Sequence, residues 1–546
     1  MIKNFLFVVP RYAKVNEYYP FPYGLGYVIA NMKKNGFNVL IVNLCHHEEP
    51  IEVLLSEAIK KHDIHVVCSG AMSIHWNELE EVLTTVKKIN HDIITVVGGA
   101  IVTSDPLLAL ENLQIDFGII GEGEETIVEL ADALCNNKDT KMIRGIGFLD
   151  DNKEIFLTGP RPPIKDLDSL PFPDYDGLGF DTWLKINSQA QKINWLEYDL
   201  HHPQKQVDIF ASRSCPYRCT FCYHPLGNKY RQRSLDSVFK EIEYLRDKYG
   251  VTLINFQDEL FSVNKERVYD FTSRIKKYDI EYFIQWRVDN IDEGMLQALK
   301  DSGVRYLELG VESMSDVVLK SMKKGTTKQQ IEQAYTLCEK IGVRVISNII
   351  IGDVAETEDT IKESLDWVKD HPQHDINIGF ILAIPDSELW RYALSKGLIK
   401  DKLEFIKNRF PVINLTSIDD KRFLEIKHDV MASALKKENI VYGQLLSTKK
   451  ANKFYQDKQV YDFTAKCPVC SKLSDYSYIK YSDHLFSIVV CKHCLKRFKV
   501  PTRETFEESF FTELKKVILL NIKIVYISLL IDNSYLLRLR NLFRRT

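Results

Sequence analysis

The sequence predicts an α/β protein: a doubly wound (Rossmann-like) N-terminal domain, a partial (β/α)6 barrel of the TIM type, a small ribbon-like module and a helical tail. Three observations predict it. Residues 1 to about 140 alternate strand-length apolar runs with amphipathic helical patterns, which implies a parallel sheet covered on both faces. Residues 206 to about 400 repeat the alternation with six strand candidates, enough for an incomplete barrel. Seven of the eleven cysteines fall into two tight groups, one inside the second repeat and one beyond it.

The bulk properties agree. A chain of 546 residues exceeds what a single core supports, so several domains are expected. With 45% apolar and 27% charged residues it reads as globular, and disordered or collagen-like classes are excluded. A net charge of −3 provides no basic field, so no nucleic-acid partner is expected. Met1 to Pro10 reads as a buried strand, since no small-residue cleavage site follows it. The apolar run Val517–Ile531 is shorter than the roughly 20 residues of a membrane span. A cytoplasmic location is therefore expected, and clustered cysteines there read as metal ligands. Cys45, Cys68, Cys135 and Cys338 lie in apolar or helical contexts and read as small buried hydrophobes.

In the first domain the strands are expected at Phe5–Val9, Val39–Asn43, Val66–Gly70, Thr95–Val97 and Phe117–Ile120, with helices at Leu25–Lys34, Ile51–Lys61, Leu79–Lys88 and Pro106–Asn112. Ligands of such sheets bind at the carboxyl ends of the strands. Gly98, Gly99 and the run Gly121-Glu122-Gly123 stand at those ends. Residues 141–205, punctuated by five prolines from Pro160 to Pro173, read as a wrapping linker.

The barrel, residues 206–410, has strand candidates at Val207–Ala211, Leu253–Gln257, Phe283–Trp286, Tyr306–Leu309, Val343–Ile350 and Ile376–Leu382. Chemistry in such barrels sits at the C-terminal strand ends. Those ends carry Cys215, Cys219 and Cys222, then Asp258, Arg287, Glu312 and Ser313. Residues 411–460 read as a helical extension and 461–502 as the ribbon. Residues 503–546 read as an apolar, basic helix that either docks on the protein or lies in the plane of a membrane.

Cys215, Cys219 and Cys222 have the spacing C-x3-C-x2-C. Three thiolates so placed can hold three irons of a 4Fe–4S cluster and leave the fourth open. The competing reading is zinc with His224 as fourth ligand. On this motif, its place after the first barrel strand, and the later strand ends, the chain resembles the radical S-adenosylmethionine superfamily. The resemblance implies that the open iron chelates S-adenosylmethionine and that Phe221 packs near the adenine. It implies further that Asp258 in Phe256-Gln257-Asp258-Glu259 meets the ammonium and Arg287 the carboxylate. Glu312 and Ser313 in Gly310-Val311-Glu312-Ser313 would touch the ribose and amino-acid parts. Gly352 to Thr357 is similar to the family's Gly-x-Pro-x-Glu-Thr stretch but lacks its proline.

The stretches Pro22-Tyr23-Gly24-Leu25-Gly26, Val96-Val97-Gly98-Gly99, Asp116 with Gly121 to Thr126, and Leu167 to Pro173 resemble the cobalamin-binding domain that precedes many such barrels. The resemblance implies that Gly98, Gly99, Gly121, Glu122 and Gly123 approach the nucleotide tail, glycine admitting close contact. Asp63-Ile64-His65 starts like the motif that gives cobalt an axial histidine, but Cys68 stands where glycine is required, and the Arg11–Tyr23 loop has no histidine. Cobalamin without an axial histidine is expected.

Cys467, Cys470, Cys491 and Cys494 form two C-x2-C knuckles, with hairpin strands expected at Tyr476–Tyr481 and Leu485–Val490. That pattern fits structural zinc or, as in some radical enzymes, an auxiliary iron–sulfur cluster. The resemblances imply a cobalamin-dependent radical enzyme that methylates a carbon of a small molecule and draws electrons from a donor such as flavodoxin or ferredoxin. The alternatives are a non-methylating cyclase of the same architecture and a non-enzymatic metal-binding interaction protein.

Overall fold

The computed structural model describes residues 4–150, 152–194, 205–261, 263–371, 374–436, 440–455, 458–480, 486–494 and 496–501. The expected C-terminal helix, 503–546, lies outside the described residues. Among those described, no helix is long and apolar enough to cross a membrane.

The N-terminal sheet contains β1 (Asn4–Val9), β2 (Asn38–Asn43), β3 (Val66–Gly70), β4 (Ile94–Gly98), β5 (Phe117–Ile119), β6 (Ile146–Leu149) and β7 (Ile155–Leu157), in the order β2-β1-β3-β4-β5-β6-β7. Strands β1 to β5 are parallel. Alternation on β1 sends Phe5, Phe7 and Val9 into one core and Leu6 and Val8 into another on the opposite face. A sheet buried on both sides needs such continuous apolar strands. The strand order reverses at β1, so the loops after β1 and β3 flank the crevice where ligands of such sheets bind.

The reading of 141–205 as a linker is corrected here. Strands β6 and β7 form an antiparallel hairpin that extends the sheet, turned at Asp150, whose Oδ1 accepts from the backbone N–H groups of Asn152 and Glu154. Strands of four and three residues are too short to declare a period. The segment Phe180–Asn194 is a helix anchored by aromatic packing of Phe180 and Trp183 on Phe21.

The barrel strand β8 (Gln206–Ile209) leads into a short ribbon of β9 (Ser212–Arg213) and β10 (Arg231–Gln232). It continues through β11 (Leu253–Phe256), β12 (Glu281–Trp286), β13 (Val304–Glu312), β14 (Val345–Ile351) and β15 (Asp375–Phe380). Six parallel strands lie in the order β8-β11-β12-β13-β14-β15, the expected open barrel. Its helices are well punctuated: Ser234 caps one, Thr327 and Gln330 form a reciprocal capping box on another, and Gly250 and Gly342 close helix ends at positive φ. The free edge at β8 meets the first domain, where the Tyr23 hydroxyl accepts from the Asp208 backbone N–H at 2.9 Å.

Beyond the barrel, the expected helical extension over 411–460 holds only as Asp420–Lys436. Residues 444–455 form β16 (Gln444–Tyr455), an edge strand paired with β17 (Lys458–Lys466). A polar composition rich in lysine hides a strand from periodicity but suits an edge. The ribbon hairpin is also re-paired. Strand β18 (Leu473–Lys480) joins β17, whereas β19 (Phe486–Val490) joins β20 (Arg497–Pro501). Each cysteine knuckle is thus the turn of its own hairpin.

Candidate active site

The β9–β10 ribbon clamps the two ends of the loop that carries Cys215, Cys219 and Cys222. Ser214 turns into the loop at φ +67, with its hydroxyl donating to Leu226 O at 3.2 Å. The loop is docked in its middle as well: Thr220 N donates to Met322 O at 3.0 Å and receives Leu389 N at its own carbonyl at 3.2 Å. A hydrogen bond from Cys222, reinforced by the nearby Lys324 and Arg287 cations, holds the Cys219 thiol down at about 6, while Cys222 as donor is pushed up. A thiolate held low is the form that ligates metal. His224, the candidate fourth ligand in the zinc reading, has its Nδ1 engaged by Glu259 Oε2 at 2.7 Å.

The other strand ends converge on this loop. Arg287 lies over the Tyr217 ring at 3.6 Å, pairs with Asp289 at 2.9 Å and donates to Lys324 O at 2.8 Å. Glu312, at φ +68 on the last residue of β13, meets Lys324 Nζ at 2.7 Å. Asp258 is buried: its Oδ1 accepts from the backbone and hydroxyl of Ser212, and burial pushes it up to about 7. The Ser313 hydroxyl accepts from Ser315 N at 3.2 Å and lies 3.3 Å from Ser364 Oγ. Phe221 packs at the seam between the domains, against a core that joins Trp76 and Ile101 to Met322 and Trp390. Lys324, which no motif announced, is a central cation of the arrangement.

Among the described residues, the polar atoms of this neighbourhood that are buried without a hydrogen-bond partner include Thr220 Oγ1, His224 Nε2, Asp258 Oδ2 and Thr326 Oγ1. Such atoms are costly unless a bound group satisfies them.

The first domain presents its strand ends to the same place. Gly99 has φ +90, and a Cβ there would lie 2.8 Å from Ala71 O, so no other residue fits. Gly121 has φ +82 with open space where a side chain would go; Gly98 and Gly123 meet only ordinary contacts. Glu122, expected beside a nucleotide tail, is turned elsewhere. Its carboxylate accepts from Arg213 at 2.9 Å, Arg231 at 2.8 Å and Ile164 N at 2.6 Å, and its side chain is 4% exposed. Arg213 also holds Glu124 at 2.6 Å. Arg213 stands two residues before Cys215, so a buried ion-pair cluster ties the first domain to the thiol loop. His65 precedes β3, at the end of the sheet opposite these loops.

Glu356, in the loop after β14, is 1% exposed. Burial pushes its carboxyl up to about 7 against the opposing Gly352 N–H. The folded protein thus holds this proton more tightly than the unfolded chain, and stability falls as pH rises from about 4.5 towards 7. Glu356→Gln keeps the acceptor and removes the charge. It is expected to leave stability at pH 5 little changed and raise it by about 3 kcal/mol at pH 8, read from urea midpoints.

At the other end of the chain, the Sγ atoms of Cys467, Cys470, Cys491 and Cys494 all lie within 4.8 Å of one another. Val469 N and His493 N each donate to the first sulfur of their knuckle at 3.4 Å. His493 itself bonds Leu473 O at 2.8 Å and is no ligand in this arrangement. Four converging thiols with backbone donors form a set that could hold one metal ion.

Comparison with known proteins agrees with this geometry. Residues 209–368 match the Radical SAM superfamily and residues 12–131 the B12 binding domain. An uncharacterized methyltransferase of Pyrococcus horikoshii is 30% identical over 387 residues, spanning 69% of this chain and 79% of that protein. The anaerobic magnesium-protoporphyrin IX monomethyl ester cyclase of Rubrivivax gelatinosus is 27% identical over 437 residues, 77% of this chain and 75% of its own. Among solved structures, the radical S-adenosylmethionine methyltransferase TsrM of Kitasatospora setae shares the fold with a TM-score of 0.59 at 19% identity, covering 72% of this chain and 76% of that one. The chain belongs to the radical S-adenosylmethionine superfamily of enzymes. Within it, this protein is one of those that carry a B12-binding domain ahead of the barrel.

Proposed function

We propose that the enzyme methylates a carbon of a small molecule, with Cys215, Cys219 and Cys222 holding a 4Fe–4S cluster and the first domain holding cobalamin. The observation that carries this reading is the opposition of the two sets of strand ends. The three thiols and their cations lie on one side of a seam, and Gly99 and Gly121 lie on the other. When bound, the cluster and S-adenosylmethionine supply a 5′-deoxyadenosyl radical, and cobalamin supplies the methyl group. The chain's own contribution is placement. Lys324 and Arg287 offset the charge of the thiolates. Gly121, where a side chain would enter open space, leaves room for a bulky tail.

The test is product analysis. A product heavier by one methyl group, formed together with S-adenosylhomocysteine and 5′-deoxyadenosine, is expected. The cyclase relative favours a second reading, and an oxidised product without an added methyl group would establish that instead.

The loop after β1, Arg11–Tyr23, carries no histidine to serve cobalt. Among the described residues beside the crevice, His46 Nε2 is held by the Tyr19 hydroxyl at 2.7 Å, whereas His75 packs its ring against Tyr12 at 4.4 Å and leaves Nδ1 without a hydrogen-bond partner. Histidine is the usual nitrogen donor to such a metal. Protein loaded with cobalamin is therefore expected to give a cobalt(II) electron paramagnetic resonance spectrum without the extra splitting of an axial nitrogen, and its appearance would refute this.

For the four-cysteine site we propose structural zinc. Protein with Cys215, Cys219 and Cys222 all replaced by Ala is expected to retain about one zinc per chain by elemental analysis. Iron–sulfur absorbance remaining in that variant would point to an auxiliary cluster.

A further inference from the structure

The lumen beneath the barrel mouth has a chemistry of its own. Side chains alternate along each strand. The outward set packs under the helices: Ser347 takes the Tyr335 hydroxyl at 2.6 Å, and Val345 and Ile349 join the main core. The inward set is divided by depth. Leu253, Phe283, Tyr306 and Ile346 form a separate apolar floor, with the Phe283 and Tyr306 rings stacked at 4.4 Å.

Other inward positions are Asp208, Asn255, Gln285, Glu308, Asn348 and Asn377. Five of these are half-buried, and Asn348 is exposed although its strand is flanked by β13 and β15. A residue in mid-sheet reaches solvent on that face only when the lumen is open. Barrel interiors are ordinarily filled by branched apolar side chains. Here amides and carboxylates line the space: Asn255 Nδ2 donates to Asp208 Oδ1 at 2.8 Å, and Asn377 Nδ2 to Asn348 Oδ1 at 3.3 Å. These six positions carry two carboxylates and no basic residue, and the cation next above them, Lys324 beside Gly310, is already paired with Glu312 at 2.7 Å. Burial, opposed by the Asn255 bond and aided by Glu308, pushes Asp208 up to about 6, a cost that an incoming cation relieves. Glu308 stands four residues before Glu312, roughly 13 Å down the strand, below a ligand held at the strand ends.

We propose that this lumen seats the substrate, and that the substrate is a hydrophilic, amine-bearing cation whose charged end pairs with Asp208 and Glu308. The proposal rests on the methyl-transfer reading above and gives it a substrate class. It disfavours a broad apolar macrocycle bearing carboxylates, which would meet like charge and unpaired amides.

Activity-guided fractionation tests it. Metabolite extract of the cells that make the protein is split by cation exchange at neutral pH into retained and flow-through fractions, with an organic-solvent fraction alongside. The retained fraction is expected to stimulate 5′-deoxyadenosine and S-adenosylhomocysteine formation. The isosteric variants Asp208→Asn and Glu308→Gln are expected to raise its KM about tenfold or more, the loss of one charged contact. Stimulation by either other fraction, or variants with the parental KM, overturns the proposal. If no fraction elicits 5′-deoxyadenosine, the methyl-transfer reading fails instead. Calorimetric titration of the retained fraction then tests the lumen alone: heat lost in both variants upholds the proposal, and equal heat in parent and variants overturns it.

Discussion

Cys219→Ala is expected to abolish activity. The loop has three thiols for three irons, and Cys219 is the one held down at about 6 by Cys222, Lys324 and Arg287. Iron in the anaerobically reconstituted variant should collapse with its visible absorbance. The rate of 5′-deoxyadenosine formation should fall by about a thousandfold or more, some 4 kcal/mol of barrier. Zinc content should not move, because the four-cysteine site lies in separate hairpins. A variant that retained iron and turnover would remove the assignment of this loop.

The second large effect is on stability. Glu122→Gln leaves Arg231, 6% exposed at its side chain, without the carboxylate that faces it, whereas Arg213 keeps Glu124. Removing one partner of a buried pair costs about 3–5 kcal/mol, because the other charge stays behind. The urea midpoint should drop accordingly. Adding Arg231→Met to Glu122→Gln should recover much of the loss, since no uncompensated charge then remains. If the single variant matched the parent protein, the cluster would be an exposed pair of little consequence.

What was legible in the sequence divides along local and non-local lines. Strands such as Val66–Gly70 and the helix Ile51–Lys61 agree with the structure to the residue, because apolar runs and helical periods are set by nearest neighbours. The three cysteines and the two knuckles were legible because ligand spacing is a property of one turn. Hairpin β6–β7 was too short to show a period, and β16, polar and lysine-rich, shows none. The ion pairs of Glu122 were not legible because its partners stand 91 and 109 residues away, a pairing that no local pattern encodes. Lys324 was missed for a related reason, its role being defined by Glu312 across a turn and by the Cys219 thiol in the loop between β9 and β10.

The bond between the Tyr23 hydroxyl and the Asp208 backbone bears on how freely these domains can be exchanged between proteins. An open barrel has two outer strands, and at β8 an N–H that would otherwise invite another chain is occupied by a residue from the preceding domain. A barrel transplanted without its own N-terminal partner would carry a sticky margin and would associate with itself. Grafting this catalytic unit onto a foreign cobalamin carrier would therefore require moving Tyr23 and the ion-pair cluster at Glu122 along with it.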